Sequence, residues 1–159
     1  MPTRPKKALM QAAIELALEG VRANQSGPFG ALVVKDGAIV GRGVNRVTTA
    51  LDPTAHAEVV AIREACQALK TFTLAGCELY TTCEPCPMCL AAAYWARVER
   101  IVYACDRSDA ARAGFDDDVF YHEFEKPVAE RRLALVQLAR TEALAVFQAW
   151  LDKPDRVPY

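Results

Sequence analysis

Two short stretches of this chain carry residue types that can do chemistry together. One is Pro-Thr-Ala-His-Ala-Glu at 53–58, and the other is Thr-Thr-Cys-Glu-Pro-Cys-Pro-Met-Cys-Leu-Ala-Ala at 81–92. Cys86 and Cys89 are three apart, so on a helix their sulfurs share one face and can share one metal. Pro85 and Pro87 suit the start of such a helix, where no amide donor is needed. The free amides there favour negative charge, which biases both thiols toward the thiolate that binds metal. His56 supplies a third ligand, and two sulfurs with an imidazole favour zinc over hard cations. Three protein ligands leave a tetrahedral position open to water, as in catalytic sites. Glu58, two residues past His56, can then handle that water's proton. Two blander readings use the same residues. The cysteines could be core packing, or Cys83, Cys86, Cys89 and His56 could close a structural zinc site. Against the second, Cys83 precedes the helix at a strand end, and a closed set leaves Glu58 without a task.

These residues need a frame to hold them. The stretch 6–23 reads as a helix, with Met10, Ile14, Ala17 and Val21 on one face and Glu15, Glu19 and Arg22 outside it. Gly27-Pro28-Phe29-Gly30 ends that pattern, and a strand begins at Ala31. Asp36-Gly37 signals a two-residue hairpin returning through Ala38-Ile39-Val40 toward Asn45. Asp52-Pro53 is expected to open a second helix, with Asp as cap and Pro at the first position. On a regular helix His56 and Glu58 would stand about 200° apart, so His56 must sit at an irregular first turn to share a site with Glu58. Glu58 heads a stripe with Ile62, Ala65 and Leu69, which makes it a buried acid with a raised pKa. A strand at 78–82 feeds the metal helix, whose inward face is Cys86, Cys89, Leu90 and Ala93. A further strand is expected at 100–104, a last strand at 133–138 and a last helix at 142–151. The alternation implies a three-layer α/β domain with a mixed sheet.

Composition narrows the partners. With 159 residues the chain is expected to form one domain, 1–159, and its 52% hydrophobic content can fill a core. Lys and Arg number 19 against 20 Asp and Glu, so no excess of positive charge advertises nucleic acid. No apolar run approaches the ~20 residues of a membrane span. The first residues lack a signal-peptide core, so the six cysteines are expected to be cytoplasmic thiols, with Cys66, Cys77 and Cys105 as small buried hydrophobes.

His56-Ala57-Glu58 with Pro85-Cys86-Pro87-Met88-Cys89 resembles the H-x-E and P-C-x-x-C signature of zinc nucleobase deaminases. Phe29-Gly30-Ala31 and Asn45 extend the resemblance to the cytidine/deoxycytidylate deaminase superfamily over nearly the whole chain. Within it, the segment 113–118 (Ala-Gly-Phe-Asp-Asp-Asp), Phe147-Gln148-Ala149-Trp150 and the terminal Tyr159 are similar to the bacterial guanine deaminase family. The resemblance implies an α-β-α fold, Zn2+ as cofactor, and hydrolysis of guanine to xanthine and ammonia. It implies His56, Cys86 and Cys89 as ligands, Glu58 and Asp117 as catalytic groups, and substrate contacts from Phe29, Asn45, Ala57, Asp117 and Tyr159. It further implies a homodimer whose C-terminal segment, from about 140 onward, closes the site and can be exchanged between subunits.

Chemistry supports the choice of base. Guanine offers N1–H and a 2-amino group as donors, which suit a carboxylate, whereas adenine presents a bare acceptor at N1 that a carboxylate repels. Asn45 carries both donor and acceptor for the opposite edge, and Phe29 can wall the ring. The nearest alternative is a tRNA adenosine deaminase, which shares the metal motifs. This chain departs from it in the acidic segment after Gly114 and in a long apolar C-terminus, and Lys6-Lys7 and Arg131-Arg132 are too sparse for an RNA face. Guanosine or other amino-heterocycles remain alternative substrates. A reading of another class is an inactive zinc-binding scaffold, against which the intact Glu58 argues.

Overall fold

A computed structural model describes residues 4–159. In chain order the elements are α1 (Lys7–Arg22), β1 (Gly30–Lys35), β2 (Ala38–Val44), α2 (Val47–Ala50), α3 (Ala57–Leu69), β3 (Cys77–Cys83), α4 (Pro87–Trp95), β4 (Arg100–Cys105), α5 (Arg107–Arg112), α6 (Asp117–Glu125), a 3-10 turn (Val128–Glu130) and α7 (Arg140–Asp152). The chain divides into two compact units, Met1–Tyr121 and His122–Tyr159.

In the first unit the strands run in the order β2-β1-β3-β4. β1 is antiparallel to both β2 and β3, while β3 and β4 are parallel, so the sheet is mixed as expected. The hairpin turns on Asp36 and Gly37, both with positive φ (51° and 82°), the demand that makes Asp-Gly a hairpin signal. One face of the sheet packs Leu32, Val34 and Tyr80 against Ala13 and its neighbours on α1. The other packs Ala31, Val33, Cys77 and Leu79 against Ala57, Ala61, Ile62 and Ala65 of α3 and Ala93 of α4. Three layers result, with the motif-bearing helices together on one face.

α3 lies unusually close to the sheet. A Cβ on Gly41 would stand 2.4 Å from the Ala61 carbonyl oxygen, and one on Gly43 would stand 2.0 Å from that of Ala57. Only glycine on the strand and alanine on the helix allow backbone to meet backbone at this spacing.

Three expectations are corrected. Asp52-Pro53 does not open a helix: Asp52 Oδ1 accepts from Thr54 N–H (2.8 Å) and Thr54 Oγ1 (2.7 Å), an Asx turn, and α3 starts only at Ala57. The stretch 133–138 forms no strand, and Leu133, Leu135, Val136 and Leu138 are exposed. Its apolar residues fall on both faces, a pattern that needs cover on each side. Cys105 is exposed because the last three residues of edge strand β4 are open, whereas Cys77 is buried and Cys66 partly so. All six cysteines are free. No helix of the described residues is long and apolar enough to cross a membrane.

Candidate active site

His56 and Cys86 hold matching places. His56 is the residue just before α3, with extended backbone (φ −68°, ψ 154°), and Cys86 is the residue just before α4 (φ −64°, ψ 166°), with Pro87 at the helix start. Since His56 lies off the helix, the 200° separation from Glu58 never arises. The extended residue turns its ring back toward α4 while Glu58 rides the first turn of α3. Cys86 likewise precedes its helix, and Cys89 sits in the first turn.

The ligand atoms converge. His56 Nδ1 is 3.5 Å from Cys86 Sγ and 3.5 Å from Cys89 Sγ, and all three atoms lie within 4.8 Å of one another. A tetrahedral zinc with about 2.3 Å to sulfur and about 2.05 Å to nitrogen would set the N···S separation near ~3.6 Å. The donor set therefore fits zinc in type and spacing. Hydrogen bonding from Cys89 lowers the Cys86 thiol to about 4, with His56 helping, so thiolate character is concentrated there. Cys89 moves the opposite way, through its hydrogen bond with Cys86 and burial. The Cys86 sulfur also raises the His56 pKa.

Cys83 stands outside this trio. Its Sγ donates to the Asp106 carbonyl oxygen at 3.5 Å, and burial, with Asp117 next, pushes its thiol up to about 12. A neutral thiol turned to another acceptor does not fit a closed four-ligand set.

Glu58 is 5% exposed, and its Oε1 accepts from Thr81 Oγ1 at 3.0 Å. Burial raises its pKa above the ordinary carboxyl range. On β3 the residues facing α3 run Cys77, Leu79, Thr81, Cys83, so Thr81 is the one hydroxyl in a buried apolar row. A buried hydroxyl needs a partner, and the Glu58 carboxyl is that partner. One carboxyl oxygen is thereby held from beneath.

The cleft over these groups is lined by Phe29, Asn45, His56, Ala57, Glu58, Cys83, Glu84, Cys86, Phe115 and Asp117. Phe29 and Phe115 meet edge to face, ring centroids 4.7 Å apart at 78°. Asn45 Oδ1 accepts from Val47 N–H at 3.2 Å, which leaves its amide nitrogen as the group to offer a ligand. Asp117 opens α6 half-buried, and burial, then the Cys86 sulfur, raises its pKa. Every site residue expected from the sequence lines this cleft or its metal cluster except Tyr159, which belongs to the second unit and is exposed. Thr81, Glu84 and Phe115 were not expected in these roles. Thr81 is detectable as the polar break in an apolar alternation. Glu84 and Phe115 stand beside motif residues but carry no spacing signal of their own.

Residues 3–105 match the family model described as "Cytidine and deoxycytidylate deaminase zinc-binding region". The chain belongs to this deaminase family. Among its members, the guanine deaminase of Bacillus subtilis (strain 168) is 52% identical over 153 residues, covering 96% of this chain and 98% of that one. The X-ray structure of guanine deaminase from Bacillus subtilis superposes with a TM-score of 0.94 at 51% identity, covering 98% and 99% of the two chains. The tRNA-specific adenosine deaminase of Aquifex aeolicus (strain VF5) is 48% identical over 88 residues, which is 54% of this chain and 58% of that one. Likeness to the guanine deaminase thus continues through the acidic segment and α7, beyond the zinc-binding region of the deaminase family.

Proposed function

We propose that this chain hydrolyses guanine to xanthine and ammonia, with zinc held by His56, Cys86 and Cys89. The observation that carries the reading is Asp117: a half-buried carboxylate lines the same cleft as the His-Cys-Cys cluster, in a chain similar to a guanine deaminase along nearly its full length. Two thiolates and an imidazole select zinc among common divalent ions. Bound there, zinc would supply the Lewis acidity that makes water a nucleophile near neutral pH.

The chain's own groups do the rest. Phe29 and Phe115 grip the purine ring. The Asp117 carboxylate accepts from N1–H and the 2-amino group, which brings C2 toward the cluster. The Asn45 amide nitrogen donates to the acceptor-rich O6/N7 edge, and Ala57, with no side chain beyond Cβ, lets the ring lie close to the start of α3. Glu58, one carboxyl oxygen held by Thr81, takes the proton of the attacking water and passes it to N3. Glu58 then takes the remaining proton from the hydroxyl added at C2 and gives it to the 2-amino group, held by Asp117, so that ammonia leaves as the C2=O of xanthine forms.

An ammonia-release panel over guanine, guanosine, adenine, cytosine and a tRNA anticodon stem-loop tests the reading. Guanine is expected to be the substrate turned over; release only from the stem-loop would overturn it in favour of adenosine deamination, and no release from any would leave a scaffold. Asp117→Asn is expected to cut kcat/KM for guanine by about 10²-fold while zinc content holds. Wild-type turnover in that variant would remove the chemical support for guanine.

The reading extends to assembly and to the end of the chain. A homodimer is supported by Leu144, Phe147 and Leu151, an exposed apolar row along α7. A cytoplasmic location suits six free thiols. Tyr159, on a tail stiffened by Pro154 and Pro158, is assigned on sequence grounds to cover a bound purine in its own or a partner subunit. Deleting 154–159 is expected to lower guanine turnover by about tenfold or more with zinc content unchanged. Full turnover by the truncated protein would remove Tyr159 from the site.

A further inference from the structure

Tyr121 and Asp117 are four residues apart on α6, the spacing that places two side chains on one helix face. The Tyr121 hydroxyl donates to the Pro85 carbonyl oxygen at 2.7 Å. Pro85 directly precedes Cys86. Next to it, Glu84 Oε2 accepts from the Arg107 N–H at 3.1 Å. Two consecutive residues of the turn into α4 therefore hold both ends of the segment 107–121. The ends are also fastened to each other: the Arg107 guanidinium lies 4.5 Å from the Tyr121 ring centroid, and its Nε is 3.5 Å from Asp118 Oδ1.

Between those ends the segment has one permissive point. Gly114 has φ +91°, and a Cβ there would meet nothing within 4 Å. Gly114 ends α5 in this left-handed conformation, with the Phe115 N–H bonded back to the Ala110 carbonyl oxygen at 3.1 Å, and α6 begins after it at Asp117. The Tyr121 hydroxyl, one helical turn past Asp117, joins α6 to the turn into α4 at the residue before Cys86.

We propose that Tyr121 is a positioning residue that sets the distance between the Asp117 carboxylate and the metal cluster. Its phenol works as a strut between α6 and the residue before Cys86, and Arg107 braces the ring from above. The part Asp117 plays in turnover rests on the guanine deaminase reading; the strut itself does not.

The test is a double-mutant cycle on the full-length, zinc-loaded protein. Tyr121→Phe keeps the ring and its stack with Arg107 but removes the bond to Pro85. It is expected to lower kcat/KM for guanine by about tenfold with zinc content unchanged. In an Asp117→Asn background the same change is expected to cost less than about twofold, because the group being positioned is already gone. Equal losses in both backgrounds, or no loss in either, overturn the proposal; the first would mark Tyr121 as general packing. Should Tyr121→Phe fail to fold, Arg107→Gln is read in the same cycle, with a smaller loss that again vanishes beside Asp117→Asn. Amide exchange separates this inference from the proposed substrate. If the wild type releases no ammonia from guanine, the substrate reading fails, and faster exchange confined to 115–121 in Tyr121→Phe still supports the strut. Unchanged exchange there overturns it.

Discussion

Glu58→Gln is expected to keep about one zinc per chain and to lose guanine turnover by about 10²- to 10⁴-fold. The substitution is close to isosteric, and the amide oxygen can still accept from Thr81 Oγ1, so the buried hydroxyl keeps its partner. What disappears is a group able to take a proton and give it back. The side chain is almost fully buried and is no ligand of the proposed zinc, so neither metal nor packing has reason to change. An uncharged amide in that place costs less to bury than a carboxylate, and the melting temperature should hold or rise. Metal analysis and ammonia release on the same sample check both halves. Turnover within a few-fold of wild type would mean that another group moves the proton, and loss of zinc would mean that Glu58 holds the metal.

Cys86→Ser is expected to abolish zinc binding at ordinary concentrations, whereas Cys83→Ser keeps it. Changes in the residues behind metal ligands already cost about 10- to 100-fold in affinity, so replacing a thiolate ligand by a hydroxyl costs more. Cys86 is the thiol most inclined to ionise, with both Cys89 and His56 favouring its thiolate. The Cys83 thiol is held neutral and donates to the Asp106 carbonyl oxygen, a bond that a serine hydroxyl can repeat. Zinc-to-protein ratios after dialysis decide the matter. Retention by Cys86→Ser together with loss by Cys83→Ser would exchange their roles.

The metal cluster was legible because its residues lie in two short runs, each at the start of a helix, where spacing dictates direction. The sheet was legible for a similar local reason, the Asp36-Gly37 turn and the alternation on either side of it. The start of α3 was not. Asp followed by Pro announces a helix start and an Asx turn in the same letters, and here the Asp52 carboxylate caps Thr54 instead of a helix. The misreading mattered, because it put His56 and Glu58 on one helix and created an angular conflict that the extended His56 removes. Residues 133–138 misled by composition, since branched and apolar residues favour strands only where another strand receives them. Asp117 lay beyond spacing altogether. Three aspartates in a row look like a solvated loop, and resemblance alone selected the middle one, now half-buried in the cleft.

The glycine–alanine seam between β2 and α3 limits how this protein can be remade. His56 and Glu58 take their positions from the start of a helix seated directly on strand backbone at Gly41 and Gly43. With no side chains in between there are no rotamers to rearrange, so an added methyl group cannot be absorbed locally and displaces the helix itself. Anyone adapting the cleft to a different amino-heterocycle should treat β2 and the first two turns of α3 as untouchable. Variation belongs at Phe29, Asn45, Phe115 and Asp117, where changes reshape the walls while the proton-handling floor stays in register.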